Sequence, residues 1–123
     1  MKSTSVPSVS PYFWAQLSTT DFAQLDKSRV IAVLPVAATE QHGPHLPLSV
    51  DTDIVDGVVS AAVQHLQAQQ EQSKTPKGPP TVLFLPTQTI GLSPEHAAFP
   101  GTLTLRPETL IRVWTDIAES VKA

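Results

Sequence analysis

The sequence predicts an α/β domain built on a parallel sheet, and three observations predict it. Two short, uninterrupted aliphatic runs, Val30-Ile31-Ala32-Val33-Leu34 and Thr81-Val82-Leu83-Phe84-Leu85, are each closed by a proline, Pro35 and Pro86. A long segment between them repeats apolar residues at helical spacing. A second amphipathic segment follows the second run. The order strand, helix, strand, helix implies a βαβ unit with parallel strands and a right-handed crossover.

In chain order, Met1 to Pro11 is rich in Ser, Pro and Val and reads as a flexible tail, without the continuous apolar stretch of a signal peptide. Tyr12 to Leu17 is aromatic and apolar and is expected to pack on the domain. Thr20 can cap a short helix over Asp21 to Lys27, with Phe22 and Leu25 turned inward. The first aliphatic run lacks polar alternation, which predicts a strand buried on both faces. Pro35 sits at its end, where a lost backbone donor costs least. Ala37 to Val50 is a loop, and a helix is expected from Asp53 to Gln72, capped by Asp51 or Thr52. Its apolar face is Val55, Val59, Ala62 and Leu66, widened by Val58 and Val63. Gly57 is a mild defect there, costing about 1 kcal/mol relative to Ala.

Ser73 to Pro80 is a polar surface connection. After the second strand, Ile90 to Thr102 forms a second loop. Pro107 then opens the last helix, whose apolar face is Leu110, Val113, Trp114, Ile117 and Val121. Residues 1–27 are read as an N-terminal tail and short helix, and 28–123 as a partial α/β domain. Parallel sheets usually hold more than two strands and are covered on both faces. The pattern therefore predicts a domain cut short after two strands, or one completed by another chain.

Composition narrows the function. With 41% hydrophobic and 15% charged residues in 123, the chain is globular in character. Its net charge is −3 and its sequence pI ≈ 5.7, with no basic stripe, which argues against nucleic acid. No apolar run approaches the ~20 residues that span a bilayer, so no membrane partner is expected. There is no cysteine, which excludes thiolate zinc and fits a cytoplasmic location. Any metal would need His and carboxylate ligands.

His42, His45 and His96 lie in the two loops that follow the strands. Ligands bind outside the carboxyl ends of strands in open α/β sheets, so these loops are expected to converge on a site. In an extended segment, Glu40 and His42 leave the same face, and Asp51 can return there from the start of the next helix. One imidazole and two carboxylates suit Zn²⁺ or Mn²⁺ and water activation. Each residue also has a plainer reading. Glu-x-His is commonly a solvated pair, and Asp51 taken alone reads as a helix cap. His45 either braces its loop through a backbone carbonyl or contacts substrate. His96, beside Glu95, is a loop brace, a substrate contact or a ligand. His65 lies off the apolar stripe of its helix and reads as solvated.

Thr39-Glu40-Gln41-His42-Gly43-Pro44-His45-Leu46-Pro47-Leu48, followed by Asp51, resembles the signature of the creatininase (creatinine amidohydrolase) family. Ser93-Pro94-Glu95-His96-Ala97-Ala98-Phe99-Pro100-Gly101-Thr102 is similar to that family's second block. The resemblance runs from about Ser28 to the C-terminus. It implies a three-layer α/β/α sandwich and a two-metal site holding Zn²⁺, or Mn²⁺ in some members. By position, Glu40 would bind one metal, His42 the other, and Asp51 would bridge them. Beside these, the loop positions of His45, Glu95 and His96 make them the candidates, on the residues' own reading, to contact substrate or orient the ligands. The implied reaction is hydrolysis of a cyclic or small amide by a metal-activated water, in a homo-oligomer. Known members open creatinine, deformylate formamidopyrimidines or trim a peptide during cofactor maturation. The family pattern continues with a third strand and an Asn-Gly-His motif, which does not occur up to Ala123. Without it each metal keeps about two protein ligands, short of the three usual at catalytic zinc. The expected function is therefore a metal-dependent amidohydrolase that is incomplete as this chain. The alternative is a non-catalytic remnant that self-associates through its open sheet edge.

Overall fold

The computed structural model describes residues 12–74, 76 and 78–123. The expected tail, Met1 to Pro11, lies outside the described residues. The first helix, α1, is Thr19–Gln24. Strand β1 is Val30–Val33, α2 is Val50–Gln72, β2 is Thr81–Phe84 and α3 is Pro107–Val121.

β1 and β2 pair in parallel, with Val30 opposite Thr81 and Val33 opposite Phe84. This is the predicted βαβ unit, with α2 as the crossover. The aliphatic runs form strands because β-branched side chains pack well on a pleated surface. The strands stop before Pro35 and Pro86, which have no N–H to continue the ladder. Pairing resumes beyond them. Gln88 N donates to Pro35 O at 2.9 Å and Ala37 N to Gln88 O at 2.8 Å. The two chain segments therefore leave the sheet side by side, which places both loops at one end.

The core lies between the sheet and α2. Tyr12, Val63 and Phe84 are buried together, with Val33, Val59, Ala62, Leu66 and Val82 packed around them. The Tyr12 hydroxyl donates to Gln70 Oε1 at 2.8 Å, and burial pushes its pKa up. Phe84 N donates to Tyr12 O at 2.7 Å, so the 12–13 segment covers the free edge of β2. Val30 and Ala32, on the other face of β1, line a cleft with Trp14, Phe22 and Leu25 and with Val121 from the end of α3.

Four expectations need correction. β1 is not buried on both faces: Ile31 is 49% exposed and Ala32 is also exposed. Among the described residues β1 pairs on one side only, whereas β2 lies between β1 and the 12–13 segment and holds Leu83 at 0% exposure. α1 starts earlier than expected. Ser18, not Thr20, is its cap, and Ser18 and Asp21 form a reciprocal capping box. α2 likewise begins at Val50 with Ser49 as N-cap, so Asp51 lies within the first turn and neither it nor Thr52 is the cap. Val58 does not widen the buried face of α2. It is 63% exposed and shares a side with Ile54, turned away from the sheet. In α3, Leu110, Val113, Ile117 and Val121 are half-buried, while Trp114 stands at the exposed margin of that face.

Candidate metal centre

The two loops are stitched together by the chain that leaves the second. Leu103 N donates to Thr39 O at 2.9 Å, and Leu105 N donates to Gly91 O at 2.9 Å. Gln41 N donates to Thr102 Oγ1 at 3.1 Å and Ser93 N to Thr104 Oγ1 at 2.8 Å. The Thr39 hydroxyl donates to Thr89 O at 2.6 Å. Thr102, Thr104 and Leu103 thus hold Glu40-Gln41-His42 against the 91–96 segment. Gly91 permits the closest approach, since a Cβ there would lie 2.7 Å from Ala37 O.

Glu40, His42 and Asp51 come together. Each offers a ligand atom, and those atoms lie within 4.8 Å of one another. His42 is oriented by its own neighbour: Nδ1 lies 3.0 Å from Glu40 O. A carbonyl only accepts, so Nδ1 carries the proton and, in the neutral ring, Nε2 presents a lone pair. Nε2 faces Asp51 Oδ1 at 3.3 Å. Two ligands bound at ~2.1 Å on a tetrahedral ion are separated by roughly 3.4 Å. The donor set, its tautomer and this spacing therefore fit a divalent ion. Asp51 owes its place to α2. As an acid in the first turn it also meets the positive end of the helix dipole.

The His42 imidazole titrates above its ordinary value, chiefly because the Glu40 carbonyl stabilises Nδ1–H. Desolvation opposes this, and the Asp51 and Glu40 carboxylates add to it. An ion at Nε2 therefore competes with a proton.

His96 also reaches this cluster. Its Nε2 lies 3.9 Å from Glu40 Oε1 and 3.7 Å from Glu95 Oε1, and its Nδ1 lies 2.7 Å from Gln41 Nε2. The Glu95 side chain is largely exposed, whereas that of Glu40 is mostly covered. Glu40, Glu95 and His96 form a second group whose ligand atoms lie within 4.8 Å of one another. His45 is not drawn in: it is exposed and makes no hydrogen bond among the described residues. His65 is exposed on α2, its Nε2 3.2 Å from Gln69 Nε2. Gln41, Gly91, Thr102 and Thr104 were not singled out from sequence. Gln41 sits between two candidate ligands, but nothing in its own chemistry marks it.

The profile of the creatinine amidohydrolase family matches residues 15–123. The mycofactocin precursor peptide peptidase of Mycobacterium ulcerans is 35% identical over 95 residues, covering 77% of this chain and 36% of that protein. The peptidase of the same name from Mycobacterium tuberculosis H37Rv is 32% identical over 105 residues, covering 85% of this chain and 40% of that one. A solved mutant creatininase superposes with a TM-score of 0.70 at 24% identity, covering 91% of this chain and 40% of that structure, and so shares the fold. The chain thus spans well under half the length of these relatives. With the α/β fold, both sequence blocks and the profile in agreement, the chain belongs to the creatinine amidohydrolase (creatininase) family.

Proposed function

We propose that this chain supplies Glu40, His42 and Asp51 to the metal centre of a hydrolase that cleaves an amide C–N bond in a small cyclic amide or a peptide. The observation that carries this reading is the His42 Nε2 lone pair, aimed at Asp51 Oδ1 from 3.3 Å and fixed from behind by the Glu40 carbonyl. Zn²⁺ is the first candidate and Mn²⁺ the second, since imidazole with carboxylate accepts both. When bound, a divalent ion supplies Lewis-acid polarisation of the scissile carbonyl and makes water nucleophilic near neutral pH. The chain's own residues do the rest. The Glu40 carbonyl sets the tautomer of His42, the start of α2 presents Asp51, and the stitched loops hold the two against each other. The chain covers 36–40% of the relatives it matches, so the proposal concerns only these three ligands, within a protein proposed to assemble as a homo-oligomer.

The test is metal content of the purified chain by mass spectrometry, beside His42→Ala. The wild-type chain should carry zinc or manganese. The variant should bind at least ~10-fold more weakly with unchanged helix content, because loss of even a residue that only orients a ligand costs 10–100-fold. Equal metal in both proteins would rule out His42 as a ligand. A second reading, a self-associating module without catalysis, is favoured by one observation only: Ile31 and Ala32 are exposed on β1, whose outer edge is unpaired among the described residues. A monomer in solution would count against it.

A further inference from the structure

Gln41 lies between Glu40 and His42 but hydrogen-bonds through its side chain to neither. Its amide oxygen accepts from Gly43 N–H at 3.0 Å, and its amide nitrogen lies 2.7 Å from His96 Nδ1. These two contacts determine each other. A backbone N–H can only donate, so the amide end facing Gly43 is the oxygen. The other end is then the –NH₂, which has donors and no acceptor. His96 Nδ1 must therefore be bare, and in the neutral ring the proton sits on Nε2. That nitrogen faces the carboxylates of Glu95 at 3.7 Å and Glu40 at 3.9 Å. Neither distance is a direct hydrogen bond; one bridging water or a small rotation of the ring would join the groups.

We infer that Gln41 is a positioning residue that fixes His96 as an Nε2–H donor toward the Glu40 carboxylate, and that His96 is thereby kept out of the metal-ligand set. The inference rests on the metal-centre reading given above. It decides between two roles that distance alone allows, because the ligand atoms of Glu40, Glu95 and His96 are close enough to hold an ion themselves. Coordination at Nε2 needs its lone pair and moves the proton to Nδ1. There it would meet the Gln41 –NH₂, donor against donor. Gly43 completes the device. Its positive φ of 82° turns the backbone so that its N–H returns to the Gln41 oxygen. Gln41 N–H is held in turn by Thr102. The resulting order of control runs from Gly43 through Gln41 and His96 to Glu40.

Long-range proton–nitrogen correlation spectra of the full ¹⁵N-labelled chain read the tautomer directly, at a pH well above the ordinary imidazole value of ~6.5. His96 should show a bare Nδ1 and a protonated Nε2, and the reverse pattern would overturn the inference. In Gln41→Glu the new carboxylate can only accept, so the His96 proton should move to Nδ1; an unchanged ring would also overturn it. Loading the wild-type chain with ¹¹³Cd²⁺ should give scalar coupling to His42 Nε2 and none to His96. Coupling at His96 would defeat the inference. Absence of coupling at His42 would instead defeat the metal-centre reading and leave the tautomer result standing.

Discussion

Gly91 and Gly57 show how differently one residue type acts in two surroundings. At Gly91 a Cβ would meet the Ala37 carbonyl oxygen at 2.7 Å, and neither backbone can yield without parting the two loops. At Gly57, within α2, nothing lies within 4 Å of the added atom. We expect Gly91→Ala to destabilise by about 1–3 kcal/mol, the usual cost of overpacking, and to weaken metal uptake as the loops separate. Gly57→Ala should stabilise by about 0.5–1 kcal/mol through its effect on helix propensity. Denaturant titration of both variants checks this. If Gly91→Ala were as stable as wild type with full metal uptake, close approach of the loops would not matter to the site.

Among the elements, α1 depends on its cap. Ser18 Oγ accepts from Asp21 N at 3.1 Å, and Ser18 N donates to Asp21 Oδ2 at 2.8 Å. The Ser18 backbone N–H at the carboxylate is the chief cause that holds the Asp21 carboxyl below its ordinary value, with the Ser18 side chain second. Because the folded value is the lower one, this support is complete above the unfolded pKa of ~3.9 and is lost as pH falls through the folded value. Carbon-detected titration of Asp21 should give a midpoint below ~3.9 in the wild type, moving only part of the way back in Ser18→Ala, which keeps the backbone N–H. An identical midpoint in the two would show that the Ser18 hydroxyl does not hold Asp21, since the alanine keeps the backbone N–H. The sequence points to the helix through a capping hydroxyl and the inward Phe22 and Leu25, but Thr20, the cap it suggests, lies two residues beyond the one used. Ser18, Thr19 and Thr20 are all competent caps, and the one used is the one three residues before an acid that can return the hydrogen bond.

At the scale of the molecule, an ion shared by the first loop and the start of α2 would link two parts of the chain that the sheet holds only indirectly. Free zinc at 100 times its dissociation constant would stabilise the folded state by about 2.7 kcal/mol. That corresponds to a rise in melting temperature on the order of 10 °C for a domain of about this size. His42→Ala should show no such rise, and scanning calorimetry distinguishes the two. A wild-type melt unmoved by zinc would count against a site assembled from these residues. Among the described residues no helix is long and apolar enough to cross a membrane. Several apolar side chains nevertheless face outward, including Ile54 on α2 and Ile111 on α3.

The amino-acid order alone determined the strand–helix–strand–helix succession, because unbroken β-branched runs and helical apolar spacing are local properties that need no knowledge of the fold. It also placed Glu40 and His42 on one face and put both histidine-bearing loops at the carboxyl ends of parallel strands, since period-two geometry and βαβ topology leave little choice. It left Asp51 between helix cap and ligand, and His96 between loop brace, substrate contact and ligand. Those questions turn on atoms distant in sequence, and only the tertiary structure decided where those atoms lie. It drew α2 back to Val50, brought Asp51 Oδ1 to 3.3 Å from His42, and set Gln41 against a ring 55 residues away. A hydrogen bond depends on direction and distance to a few tenths of an ångström, and no sequence pattern carries that information across a turn held by Thr102 and Gly91.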